Sequence, residues 1–191
     1  MNEQDSPSTD DRPGLLKLIR EDWITHGRDW SKPGFRAMLM YRVGVWRMGV
    51  GSRLLRAPLS VLYRFMHRWV RNRYGIELHY TAKIGRRLLI AHQGAIVIHE
   101  HAVIGDDCIV RQGVTLGAAA SYGAEQAPKL GDRVSVGAGA MVLGRVTVGD
   151  DARIGPNAVV MANVPAGATA TAAPARIIQP PRADNPDKEA A

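Results

Sequence analysis

Residues 130–165 read LGDRVS, VGAGAM, VLGRVT, VGDDAR, IGPNAV, VMANVP: six hexads in unbroken succession, each opening on Leu, Val or Ile. A period of six matches neither the 3.6 of a helix nor the 2 of a strand. It predicts a parallel β-helix, in which each hexad forms one short strand and one corner, and three hexads close a coil. The phase continues backwards through Leu78, Ile84 and Ile90, then Ile98, Ile104, Val110 and Leu116. An ordinary β-rich domain with frequent turns would not keep thirteen such anchors in step.

The period assigns side chains to places. Anchors point into a lumen with room for one branched aliphatic per wall and coil, a demand that Val and Ile meet while favouring extended backbone. The residue four past each anchor also faces the lumen and is small or apolar, as at Ala82, Gly94, Ala102, Cys108, Ala140 and Ala152. Gly after the anchor (85, 105, 131, 137, 149, 155) is expected to ease the chain around the corner. Coils should stack at roughly 4.8 Å. Two breaks interrupt the beat. Ile90 and Ile98 are eight apart, which places two extra residues near Ile96 and Val97. Leu116 and Leu130 are fourteen apart, so residues 117–129 form a loop thrown out from the solenoid, and such loops on rigid scaffolds often carry function.

The rest of the 191-residue chain divides around this solenoid. Residues 1–12 are polar and acidic and read as disordered; 13–75 as a helical region; 76–165 as the β-helix; 166–191 as a closing segment and tail. Three helices are expected: Leu15 to Trp30, with Leu15, Leu18, Ile19 and Trp23 on its apolar side; Pro33 to about Gly49; and Leu54 to Tyr74, bent or started near Pro58 and C-capped by Gly75. On the third, Leu62, Phe65, Met66 and Trp69 form the apolar side, with Arg64, Arg68 and Arg71 on another. A single Cys and the lack of an apolar leader or long apolar run point to a cytoplasmic protein. The net charge of +7 is concentrated in residues 12–75, where fourteen Lys or Arg face three acids. No helix-turn-helix cue, zinc-finger spacing or aromatic stacking set accompanies it, so nucleic acid is not the expected partner. The readings that stay open are solvated helix faces, an anionic ligand, and a peripheral contact between the basic helices and an anionic membrane.

His92 stands two residues past an anchor, beside the first break, where an imidazole on a rigid corner can act as a general base. A hydrogen-bonded structural role is the competing reading. Register places Gln112 one coil after His92. His99 and His101 flank Glu100, but two imidazoles and a carboxylate without a third spaced ligand do not make a metal site, and none is expected. Cys108 falls in a lumen slot and reads as a spacer.

The segments His79-Tyr-Thr-Ala-Lys-Ile-Gly-Arg-Arg, Ala91-His92, Val114-Thr-Leu-Gly117, Pro128-Lys-Leu, Val136-Gly-Ala-Gly-Ala and Pro174-Ala-Arg-Ile together resemble the serine O-acetyltransferase branch of the hexapeptide acyltransferases. The resemblance spans about residues 75–180. It implies a left-handed parallel β-helix, a homotrimer that could pair into a dimer of trimers, and acetyl-CoA as co-substrate. His92 becomes the catalytic base with Gln112 beside it. Gly117, Ala118, Lys129 and Ala138 line the acetyl-CoA site, and Arg176 meets its phosphates. Two departures bear on the acceptor: Ala91 stands where the branch has Asp, and Glu125-Gln-Ala127 stands where it has Asp-Arg-His. Losing that Arg removes the group best suited to grip a serine carboxylate. With Tyr41-Arg-Val43 and Tyr63-Arg64, the departures are similar to acetyltransferases of colanic-acid-type exopolysaccharide clusters, which makes a sugar hydroxyl the expected acceptor. L-serine is the alternative, and a membrane-surface β-helix scaffold is the non-enzyme alternative.

Overall fold

A computed structural model describes residues 13–119 and 126–178. Its strands, numbered in chain order, fall into three parallel sheets that form the walls of a prism. Sheet A holds β1 (Ile76–Leu78), β4 (Ile96–Ile98), β7 (Thr115–Gly117), β10 (Met141–Leu143) and β13 (Val159–Val160). Sheet B holds β2 (Lys83–Ile84), β5 (Val103–Ile104), β8 (Lys129–Leu130) and β11 (Thr147–Val148). Sheet C holds β3 (Leu89–Ile90), β6 (Ile109–Val110), β9 (Ser135–Val136), β12 (Arg153–Ile154) and β14 (Thr169–Ala170). The protein is therefore mainly β, a parallel β-helix with a small helical region before it. Every predicted anchor is buried, in one continuous apolar core.

The corners work differently from expectation. Gly85, Gly105, Gly131, Gly137, Gly149 and Gly155 have ordinary negative φ; the left-handed residue stands two positions later, at Arg87, Asp107, Arg133, Asp151 and Asn157, with φ between 56° and 59°, and at Gly139, with φ 69°. The glycine is required by the next coil. A Cβ on Gly137 would stand 2.6 Å from the Pro156 nitrogen, and one on Gly85 2.5 Å from Asp106 Oδ1. Aspartates complete the corner between sheets B and C. Asp106, Asp132 and Asp150 each accept, through Oδ1, the backbone N–H of the coil before: from Arg86 (2.7 Å), Asp106 (2.7 Å) and Asp132 (2.9 Å).

The first break also falls elsewhere. Ile96 and Val97 pair in register with Ile76 and Glu77 inside β4. The two extra residues lie in the preceding corner, where Gly94 (φ 102°) and Ala95 (φ 50°) bulge. Gly94 therefore does not fill a lumen slot, and Ile96 takes that place.

The helices are α1 (Leu15–Thr25), α2 (Pro33–Trp46), a 3-10 turn (Arg47–Gly49) and α3 (Arg53–Tyr74). α1 stops short of Trp30 because Gly27 and Arg28 turn left-handed. α3 starts at an N-cap, Ser52, carries Pro58 within its length and ends at Gly75 in the left-handed region. Its apolar side is only in part the expected one: of the four residues expected there, Met66 packs against the core. Tyr63, Val70 and Tyr74 are buried, whereas Leu62, Phe65 and Trp69 face solvent.

α1 and α2 close the open end of the solenoid, whose first coil would otherwise expose unpaired backbone groups. Tyr41 Oη donates to the Ala82 carbonyl (2.8 Å) and accepts from the Ile84 N–H (3.0 Å). Arg42 donates to the carbonyls of Ile84 (3.1 Å) and Gly85 (2.6 Å) while its Nε holds Asp22 at 2.8 Å in a buried pair. His26 Nε2 accepts from the Ile90 N–H (3.3 Å), which fixes the proton on Nδ1, where it is donated to the Asp22 carbonyl (2.7 Å).

Candidate active site

Strand register builds a column at the corner between sheets C and A. Ile90 pairs with Val110 and Val110 with Val136, so His92, Gln112 and Ala138 stand above one another, two residues past their anchors. Backbone bonds lock the column: Gly94 N–H to the Tyr74 carbonyl (3.0 Å), Gly113 N–H to Gly94 (2.9 Å), Gly139 N–H to Gln112 (2.9 Å). His92 is exposed, and among the described residues its ring makes no hydrogen bond. Gln112 shares the column, but no hydrogen bond joins the two side chains. Arg111, unremarked in the sequence, lies one coil beyond Ala91 and donates from Nη1 to Ser135 Oγ at 3.2 Å.

A second feature lies at the opposite edge of sheet A. Here a concavity of about 250 Å³ is lined by residues that include His67, Glu77, His79, Glu100, Gly117 and Ala118. Gly117 ends β7, paired with Leu143. His79 stands 3.9 Å from Glu100 and 2.8 Å, through Nδ1, from Thr81 Oγ1. Burial holds the pKa of both His67 and His79 below its ordinary value. His99 Nδ1 accepts from the His101 N–H (3.2 Å). Among the described residues no group of three or more His, Cys, Asp or Glu is arranged to hold a metal ion. Cys108 is buried in the lumen, its thiol raised to about 11 by burial, which leaves it no nucleophilic role near neutral pH.

The expected site residues thus divide. His92, Gln112 and Ala138 share one edge of sheet A; Gly117 and Ala118 sit at the other; Lys129 is exposed on sheet B and Arg176 is exposed beyond β14. One protomer does not bring them together. Of the loop between Leu116 and Leu130, Glu125 lies outside the described residues, and Ala127 is buried. Sequence reasoning missed Glu77 and the pocket it lines because neither carries a spacing of its own.

Fold and repeat define the class, a β-helix built of hexapeptide coils: the family model "Bacterial transferase hexapeptide (six repeats)" matches residues 127–162. The chain is 38% identical over 156 residues to a serine acetyltransferase of Escherichia coli strain K12, covering 82% of this chain and 55% of that protein. It is 43% identical over 138 residues to the one from Helicobacter pylori strain 26695, covering 70% and 76%. The solved structure of the soybean serine acetyltransferase apoenzyme superposes with a TM-score of 0.72 at 31% identity, over 87% of this chain and 70% of that one. The chain belongs to the serine acetyltransferase family. It spans about half the length of the Escherichia coli relative.

The expected closeness to colanic-acid-type enzymes has no support in these matches. The residues that suggested it have structural work: Tyr41 and Arg42 cap the first coil, and the rings of Tyr63 and Tyr80 flank the Arg47 guanidinium at 4.3 and 4.5 Å.

Proposed function

We propose that this chain transfers the acetyl group of acetyl-CoA to a hydroxyl, and that L-serine is the acceptor. The observation that carries the reading is an exposed imidazole, without a hydrogen-bond partner among the described residues, held on a backbone-locked corner of a family scaffold. His92 takes the proton of the acceptor hydroxyl as its oxygen attacks the thioester carbonyl. Backbone N–H groups stabilise the oxyanion. The tetrahedral centre collapses with loss of the CoA thiolate, and the His92 imidazolium returns its proton to that sulfur. Acetyl-CoA suits the small residues Gly117, Ala118 and Ala138, with Lys129 and Arg176 as cations for its phosphates.

The divided site supports assembly as a homotrimer. Sheet A lies between the two edges, and its outward row runs Glu77, Val97, Thr115, Met141 and Val159, of which the three apolar members are exposed. Packing that row against a neighbour sets the His92 column of one protomer beside the pocket of the next. Arg111 supplies the guanidinium that the 125–127 segment lacks. A cytoplasmic setting accompanies this reading; no helix among the described residues is long and apolar enough to cross a membrane.

A second reading, a sugar hydroxyl as acceptor, draws on the missing Asp before His92 and the missing Arg before Pro128. Thiol release from acetyl-CoA, assayed against L-serine and against nucleotide sugars and oligosaccharides, separates the two. Serine-dependent release is expected, and His92→Ala should lower turnover by about 10²- to 10⁴-fold with the fold intact. Release with sugars alone would replace serine, and an unimpaired His92→Ala would remove the base.

A further inference from the structure

α3 presents two faces, and the role of only one is explained. Tyr63, Val70 and Tyr74 pack inward. At 100° per residue, Leu54, Pro58, Leu62, Phe65 and Trp69 fall along the opposite side. That side is open: Leu54 is 87% exposed, Phe65 70%, Leu62 50% and Trp69 43%. A contiguous apolar stripe of this kind marks an interaction surface.

Charge identifies the partner. α3 carries six Arg and no acid. None of the six is in an ion pair among the described residues. Arg64 and Arg68 flank the stripe on one side and Arg73 on the other. Phe65, Trp69, Arg68 and Arg73 also wall a shallow surface groove. Two copies of this helix, paired face to face, would set guanidinium groups together with no carboxylate on either helix to meet them. A negatively charged surface with an apolar layer beneath satisfies both features at once. Aromatic and aliphatic side chains enter at the level of the headgroups, and arginines meet the phosphates beside them. We infer that α3 seats the protein on an anionic lipid bilayer, lying in the plane of its surface.

The test is co-sedimentation of the full chain with vesicles of phosphatidylcholine alone, or with about one-third phosphatidylglycerol. Binding is expected to the anionic vesicles at about 0.05 M salt, weakened at about 0.5 M, and absent on phosphatidylcholine. Phe65→Ser with Trp69→Ser should reduce partitioning at least about tenfold, and Arg64→Ser with Arg68→Ser by about fivefold per Arg removed. Circular dichroism and native mass should match the parent in both. Three results would overturn the inference: no binding to anionic vesicles at low salt; binding that the Phe65/Trp69 variant leaves unchanged; or a parent that ignores vesicles but forms an assembly the same variant breaks down, which would assign the face to a second copy. None of these readouts depends on acetyl transfer, so the inference and the proposed activity fail separately.

Discussion

His92 and Arg111 show what a single position can do on a rigid corner. Each is held by strand register, one coil apart, and in the proposed site a base and a guanidinium would act on one acceptor without a mobile loop. If Arg111 grips the carboxylate of serine, Arg111→Gln should raise KM for serine by tenfold or more while changing kcat much less, because a bidentate grip of equal strength in ground and transition state is uniform binding. His26 makes the opposite use of an imidazole. Burial lowers its pKa from the ordinary 6.5, so on acidification the unfolded chain takes up a proton that the folded chain resists. Stability should therefore fall as pH drops below about 6.5 toward the folded-state pKa. Denaturant midpoints at a series of pH values check this, and His26→Gln should flatten that slope.

Among the elements, the hexads were the most legible, because a lumen that accepts one aliphatic per wall writes itself into every sixth residue. Spacing alone counted the two extra residues before Ile98 but did not locate them, since a period records how many residues were inserted and not which. The glycine after each anchor was legible as a requirement but given the wrong cause: the close approach is to the next coil, which a single-strand reading does not contain. Gly137→Ala tests that cause. A methyl aimed at Pro156 should destabilise by about 1–3 kcal/mol in chemical denaturation, although φ at Gly137 suits any residue. α3 was misread on its buried side because both of its faces carry large apolar residues. The face that packs is chosen by Tyr63, which meets Tyr80 edge-on at 5.5 Å, a partner far off in sequence.

At the level of the whole molecule, the candidate site was half legible. Motif resemblance points to His92 and to the small residues Gly117, Ala118 and Ala138, and strand register sets His92, Gln112 and Ala138 in one column. The sequence of one chain does not reveal that Gly117 and Ala118 stand across sheet A from that column. In the proposed trimer the outward row of sheet A would be the seam at which neighbouring protomers complete each other's site. The most direct measurement is complementation: His92→Ala and Ala118→Trp are each purified alone, then co-expressed with different tags and isolated as mixed trimers. Each variant alone should be inactive. Every mixed trimer, two-to-one or one-to-two, has an intact His92 facing an intact Ala118 at one of its three interfaces, so about a third of parental acetyl transfer should return. Mixed trimers no more active than either parent would contradict a site shared between protomers.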